Sequence, residues 1–504
     1  MNAPARSPTR PAFAWPPRET TRRVVVGFLL AAYTLNFIDR TIVTILGQAI
    51  KVDLKITDTQ LGLLGGMAFA LLYTVLGVPI ARVAERRNRV TIISVSILVW
   101  SAFTAACGFA SNFAALMAMR LGVGIGEAGC SPPSHALISD YFEPRRRASA
   151  LAVYAFGIPL GGMIGAVIGG FLAKDYGWRV AFMVVGAPGL ILAVLLKLIV
   201  REPPRGGSDP ATPAIAPEDL APAAAPAPPG RWLATELKEL GIVTARLFGS
   251  WPILNMILGV TLVSIAGYGV GQFGAPYFNR AFGLDYATIG LIFGVIGGVS
   301  TGLGTLAGGF VADRASRRGA RWYALTPAIG LAIAAPLYLI AYALNDWRLA
   351  AVVLLVPGVF HYTYLGPTFG VVQNAVEPRR RATATAVMFL FLNLIALGGG
   401  PLLTGALIDA FAQFHFTHAG PAGLTSAVHD LLAARTGAHF ASACPGGGAP
   451  KGSPAALAAR CHGALVAATR QGILVTVLFY LWGSFHYFLA AIGLEKRMAR
   501  GSAG

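Results

Sequence analysis

Residues Glu143 to Ala148 read EPRRRA, and Glu377 to Ala382 read EPRRRA again, 234 positions later. Each copy opens onto a long apolar, glycine-bearing stretch: SALAVYAFGIPLGGMIGAVIGGFL after the first and TATAVMFLFLNLIALGGGPLLTGALI after the second. A run of about 20 mostly apolar residues is long enough to cross a bilayer as a helix. A charged hexapeptide at the doorway of such a run marks a membrane boundary, and its repetition marks a duplicated one.

The composition agrees. Of 504 residues, 55% are hydrophobic and 12% charged, against roughly 25% charged in an ordinary soluble domain. That excludes a soluble fold. The net charge of +18 raises the question of nucleic-acid binding, but the 40 Lys and Arg residues sit in short clusters between apolar runs. Such clusters belong to topology, so no nucleic-acid partner is expected.

Twelve spans can be placed, at 24–50, 60–82, 90–110, 113–139, 147–173, 179–200, 248–278, 286–312, 322–343, 348–375, 382–410 and 468–492. With the N-terminus inside, 28 of the 40 basic residues fall in inside segments or within four residues of them, as the positive-inside rule requires. Both termini are therefore expected in the cytoplasm. The basic N-terminal stretch leads into a full-length span, so no cleavable signal peptide is expected.

The domain plan is a tail at 1–23, a six-helix bundle at 24–200, a linker at 201–247, a second bundle at 248–492 and a tail at 493–504. Pro and Ala dominate the linker from Arg201 to Gly230, which cannot build a core. Beyond it, Trp232, Leu233, Leu237 and Leu240 are spaced for a short amphipathic helix on the membrane surface, or simply continue the linker. The bundles resemble each other: Gly62-Leu63 and Gly290-Leu291 lie 228 positions apart, as do Glu85-Arg86 and Asp313-Arg314. Internal repeats of this kind let two bundles rock about a central site. The second bundle carries an outside insertion at 411–467, without counterpart in the first. It holds Cys444 and Cys461, expected to form a disulfide in an oxidising compartment; the spacing does not suit a metal, and none is expected. Cys107 and Cys130 lie within spans as small packing residues.

GGFVADRASRRGAR carries Gly309, Asp313, Arg314, Arg317 and Arg318 at the spacing G-x-x-x-D-R-x-x-R-R. This resembles the signature of the major facilitator superfamily, as RLGVGIGEAG in the fourth span resembles its R-x-x-x-G-x-G motif. The first-half loop ARVAERRNR departs from the signature, with Glu85 for the usual Asp, Asn88 for Gly and Ala81 at the first glycine. NFIDR, PIARVAERRNR, RLGVGIGEAG and GWRVAF together resemble the Spinster branch. The resemblance implies an all-α membrane protein of twelve helices in two pseudo-symmetric bundles. It also implies a transporter of lysolipids or sphingoid phosphates, often proton-coupled, in a bacterial inner membrane. Proton-coupled multidrug or organic-acid transport is the alternative, and a non-transporting sensor a lesser one.

Charges inside spans each cost about 2.5 to 3.5 kcal/mol at a helix centre, so they mark function. Asp39 and Arg40 lie in the first span; Arg120 and Glu127 lie in the fourth, seven residues apart and on one face. The superfamily resemblance puts spans 1, 4, 7 and 10 around a central cavity. There Asp39 and Glu127 are expected to alternate between a protonated state and pairing with Arg40 or Arg120, for which an anionic substrate competes. A fixed buried salt bridge is the competing reading. Tyr33, Asn36, Gln272, His361 and Asn393 are further cavity candidates; His361 equally suits a neutral hydrogen-bonding role. Protons are the expected coupling ion, with no cofactor, an amphiphilic or lipid substrate, surrounding membrane lipids and a monomeric state.

GIGEAG also fits the dinucleotide fingerprint, but no strand precedes it, and helix packing explains its glycines. HExxH, a nucleophile elbow and a phosphate loop are absent, so no enzyme is expected. Glu143 and the three arginines of each EPRRRA copy sit at a helix start, where arginine opposes the dipole. The positive-inside rule alone can explain them; alternatively, the resemblance pairs each copy with an acid of the other half. The expected cytoplasmic gate thus comprises Glu85, Arg86, Arg89, Glu143, Arg146, Arg147, Asp313, Arg314, Arg317, Arg318, Glu377, Arg380 and Arg381. Glu85 would meet the second EPRRRA copy and Asp313 the first.

Overall fold

The computed structural model describes residues 18–205, 238, 241–375, 381–417 and 438–501. Among these, eleven helices are long and apolar enough to cross a membrane. One of them, Ser149–Ile199, is 51 residues long and contains Gly177 at φ 83°, a left-handed break that separates two spans. The count thereby agrees with twelve.

The first bundle comprises α1 (Glu19–Leu54), α2 (Asp58–Gly62, continued through a π-bulge into Ala68–Arg86), α3 (Arg89–Cys107) and α4 (Phe113–Glu127, continued by Ser131–Tyr141). Pro144–Ala155 runs on into Gly157–Ile199, in which Gly177 divides α5 from α6. The second bundle comprises α7 (Trp251–Phe282), α8 (Tyr286–Val295, continued through a π-bulge into Thr301–Ser316), α9 (Trp322–Ala343) and α10 (Trp347–His361, continued into Leu365–Asn374). It ends with α11 (Arg381–Leu390, continued through a π-bulge into Gly398–Thr417) and α12 (Ala455–Gly501).

Polar caps set the helix starts. Thr57 and Gln60 form a reciprocal capping box on α2, while Asn88, Asn112, Asp285 and Asp346 cap α3, α4, α8 and α10. Each such cap satisfies amide donors that the first helical turn leaves free.

The repeat is visible in these details. Lys55 ends α1 and Gly283 ends α7, both left-handed (φ 53° and 64°) and 228 positions apart, followed at the same interval by the caps Thr57 and Asp285. The break in α4 at 128–130 has its counterpart in the 3₁₀ turn Tyr362–Tyr364 of α10. The glycines noted for their spacing are where the bundles touch. A Cβ on Gly62 would collide with the Pro401 carbonyl of α11, and one on Gly290 with the Ala166 carbonyl of α5. Small residues allow this backbone approach without any driving force from water.

These close approaches lie in the halves of α2, α5, α8 and α11 away from the face where the chain enters α1 at Glu19. That entry face is here called the terminal face, and its opposite the far face. Toward the terminal face, Gly77 of α2 and Gly302 of α8 have open space within 4 Å of a Cβ position. Among the described residues, the close approaches between the bundles gather on the far side, and the bundles diverge toward the terminal face.

Two boundaries differ from the sequence reading. α11 extends to Thr417 and α12 begins at Ala455, so helix consumes both ends of the expected 411–467 insertion. The early start of α12 follows from AALAARCHGALVA, an alanine-rich stretch of high helix propensity. Of the expected amphipathic helix, Trp232, Leu233, Leu237 and Leu240 lie outside the described residues. A helix at 241–248 follows, with Val243 and Leu247 buried in the core.

Candidate functional site

Among the described residues, two buried charged clusters lie along α1, one near its middle and one at its far end. In the first, Arg40 of α1 donates from Nε to Glu127 of α4 at 2.9 Å, and its Nη2 lies 2.8 Å from the same oxygen. The other Glu127 oxygen is buried and has no hydrogen-bond partner among the described residues. The Glu127 side chain is 0% exposed and that of Arg40 24%, so the arginine is the member that faces open space.

Around it stand three rings. The guanidinium carbon lies 5.0 Å from the Phe37 centroid, 4.3 Å from Phe69 and 5.1 Å from Tyr73. Each face attracts the cation through the ring quadrupole. The cage holds Arg40 in place while leaving part of it free to meet an anion.

One helical step away, Asp39 accepts from Thr104 of α3 at 3.1 Å, and it is 2% exposed. Arg120, also 2% exposed, acts on Asp39 electrostatically. Its Nε and Nη1 are buried and have no hydrogen-bond partners among the described residues. The four charges read from the sequence lie together, with Arg40 on Glu127 and Arg120 near Asp39. Tyr33 stacks on Tyr154 of α5 at 4.3 Å, and Asn36 lies beside Glu127.

The second-half candidates are more dispersed. Gln272 of α7 is buried against Gly65 of α2, its amide nitrogen without a partner. His361 sits in a box of tyrosines: Tyr362, Tyr480 and Tyr364 have centroids 4.5, 4.7 and 5.8 Å away. Its Nδ1 meets the Tyr480 hydroxyl at 3.4 Å, and its Nε2 has no partner. Asn393 is half-buried in the π-bulge of α11.

The second cluster was not singled out from the sequence. At the far end of α1, Lys51 donates to Asp58 of α2 at 2.5 Å. Arg280 of α7 reaches across from the other bundle to the same carboxylate, with Nη2 to Oδ1 at 2.6 Å, and bonds Gln48 at 2.7 Å and Thr469 at 2.8 Å. Asp409 of α11 accepts from the amides of Asp58 and Thr59 at 3.0 and 2.8 Å. A carboxylate of one bundle thus caps a helix of the other. At the rim, Lys174 meets Asp285 at 3.7 Å. Hydrogen bonding from the Thr288 amide holds the Asp285 carboxyl below the usual carboxylate range, which keeps this bridge charged. Together these contacts shut the far face. The available signal was KVDLKITD at the end of the first span, whose charges look like ordinary loop residues.

On the terminal face the described members of the expected gate are held as follows. Asp313 accepts from Tyr323 at 3.2 Å and has no ion pair among the described residues. The first EPRRRA copy bonds within its own bundle: Glu143 to Arg22 at 3.6 Å, Arg146 to Glu19 at 3.3 Å, and Arg147 to the carbonyls of Ser139 and Phe142 at 2.9 and 3.0 Å. Arg314, Arg317 and Arg318 lie at the end of α8. Arg89 corrects the reading. It is 3% exposed and ties Asp140 and Glu202 within the first bundle at 2.5 and 2.7 Å, where it staples helix ends and does not join the halves. Glu377 and Arg380 lie outside the described residues, as do the side chains of Glu85, Arg86 and Arg381.

In the insertion, Cys444 and Cys461 are bonded to each other, with Cα atoms 5.8 Å apart. Cys107 and Cys130 are free and buried.

Comparison with known proteins matches residues 29–399 to the model of the Major Facilitator Superfamily. An MFS-type efflux pump of Mycolicibacterium smegmatis is 32% identical over 77% of this chain and 85% of its own. A sphingosine-1-phosphate transporter of Danio rerio is 26% identical over 79% of this chain and 78% of its own. Among solved structures, a bacterial homologue of the human lysosomal transporter Spinster, inward-facing and unoccupied, superposes with a TM-score of 0.78. It is 32% identical, and the match covers 95% of this chain and 99% of that one.

Proposed function

The chain belongs to the Major Facilitator Superfamily and to its Spinster-like branch, and from that premise we propose a secondary transporter that carries an amphiphilic organic anion by alternating access, coupled to protons. One observation carries the reading: Arg40 is partly open, caged by three rings, and paired with a fully buried Glu127. A phosphate or carboxylate head group entering the cavity competes for that arginine. As it takes over the cation, Glu127 loses its counter-charge in a dry setting and takes up a proton. Anion and proton then travel together.

Closure of the far face supports the alternating-access part, because the conformation needed next requires the Lys51, Asp58 and Arg280 cluster to part. In this reading the terminal face is cytoplasmic, the protein sits in a bacterial inner membrane, and it works as a monomer. The lipid-like character of the substrate rests on the Spinster-branch relatives. The efflux-pump relative favours the second reading, a proton-coupled carrier of drugs or soluble acids.

The two are separated in proteoliposomes. Labelled lysophospholipid and sphingoid phosphate should be transported under an imposed pH gradient, while soluble carboxylates should neither be carried nor compete. Flux of soluble acids with no lysolipid flux overturns the lipid assignment.

A further inference from the structure

The insertion between α11 and α12 ends in a turn whose position its sequence does not explain. Its first side is fixed to the second bundle. The Phe440 amide donates to Gln413 of α11 at 2.7 Å, and its ring packs against Phe416 at 5.7 Å. Its second side is fixed to the same bundle covalently, because Cys444 is bonded to Cys461 within α12. Both sulfur-bearing residues are almost fully buried.

The tip, Pro445–Gly447, rests on the other bundle. A Cβ on Gly446 would lie 3.0 Å from the Lys51 carbonyl and 3.2 Å from Val52 Cα, and one on Gly447 would lie 3.4 Å from Lys51 Cε. Both glycines are left-handed, at φ 72° and 89°, a conformation that glycine takes without steric cost. The tip therefore covers the stem of the lysine whose ammonium pairs with Asp58, directly beside the buried cluster that joins the two bundles.

We propose that the disulfide-pinned CPGG turn is a latch, anchored on the second bundle and seated on the last turn of α1, that holds the far face closed. The inference rests on the alternating-access reading. Parting of the bundles draws Lys51 and Val52 from under the tip and admits water to Lys51, Asp58 and Arg280. The disulfide keeps the tip from following α1, so opening must break the contact. Without the bond, the turn keeps its Phe440 anchor, its packing on Leu465 and its short run into α12 at Ala455, but it loses the covalent pin at Cys444 and can ride with α1.

The test is the distance across the far face of the full-length protein in nanodiscs. Spin labels are placed on encoded keto residues at Ser111, between α3 and α4, and Asn345, between α9 and α10, leaving native cysteines untouched. The wild type is expected to show mainly the short, closed distance. Cys444→Ala with Cys461→Ala, and separately Gly446→Val with the disulfide intact, should each raise the open fraction at least about fivefold, the low end of a coupling between two sites. Any misfolding would have a different cause in each variant, so either one, monodisperse and helical, suffices. Unchanged distances in a folded variant, while Arg280→Gln opens the far face, overturn the latch and leave alternating access standing. If Arg280→Gln and added lysophospholipid also produce no second distance, alternating access fails and the latch fails with it.

Discussion

Arg40 and Glu127 carry the functional argument because their environments differ. One is buried entirely; the other is a caged cation with an open side. The planar guanidinium suits both the ring faces and a bidentate grip on an anion, a combination that a lysine ammonium does not reproduce. Arg40→Lys should keep the fold and the positive charge yet lower lysolipid flux about tenfold or more, which corresponds to roughly 1.4 kcal/mol of lost interaction. Flux measured against expression and thermal stability checks this; wild-type flux would remove Arg40 from the site. At this scale the central cluster was legible in the sequence. Asp39, Arg40, Arg120 and Glu127 stand in apolar spans, where a charge needs a reason. The aromatic cage was not, since Phe37, Phe69 and Tyr73 look like any lipid-facing rings until the helices are packed. Lys51, Asp58 and Arg280 were hidden differently: at span ends, charged side chains usually reach the interface, and here they turn inward to each other.

Among elements, hydropathy located every span and the repeat located the contacts. Gly62 and Gly290 were noted for a shared interval and prove to be the crossing points of α2 with α11 and of α8 with α5. Hydropathy alone could not find the start of α12, because its first three to four turns are helical by propensity and project past the apolar stretch. Nor could it show the π-bulges in α2, α8 and α11. Such bulges arise from local packing and often sit at functional places; here all three lie in helices that cross between the bundles. Arg89 shows the opposite failure. Its motif position suggested a gate, whereas its buried bonds to Asp140 and Glu202 make it a staple of one bundle.

For the whole molecule, far-face closure and terminal-face divergence are one end of a cycle, and the duplicated hexapeptide belongs to the other. Among the described residues Asp313 is exposed and makes no ion pair, while Arg147 bonds carbonyls of its own bundle. When the terminal face closes, Asp313 should meet the Arg145 to Arg147 end of α5. Asp313→Arg or Arg147→Asp alone should then reduce flux about tenfold, and the two together should restore much of it, as coupled neighbours do in a double-mutant cycle. Additive losses would separate EPRRRA from the gate and leave the positive-inside rule as its explanation.

The measurement closest to the centre of this account is lysophospholipid flux in proteoliposomes with and without an imposed pH gradient, on the wild type and on Glu127→Gln. The wild type should respond to the gradient. The variant, unable to exchange a proton at that position, should still exchange labelled for unlabelled lipid but ignore the gradient. Gradient-driven flux that persists in Glu127→Gln would contradict the coupling of Arg40 and Glu127 to the transported anion.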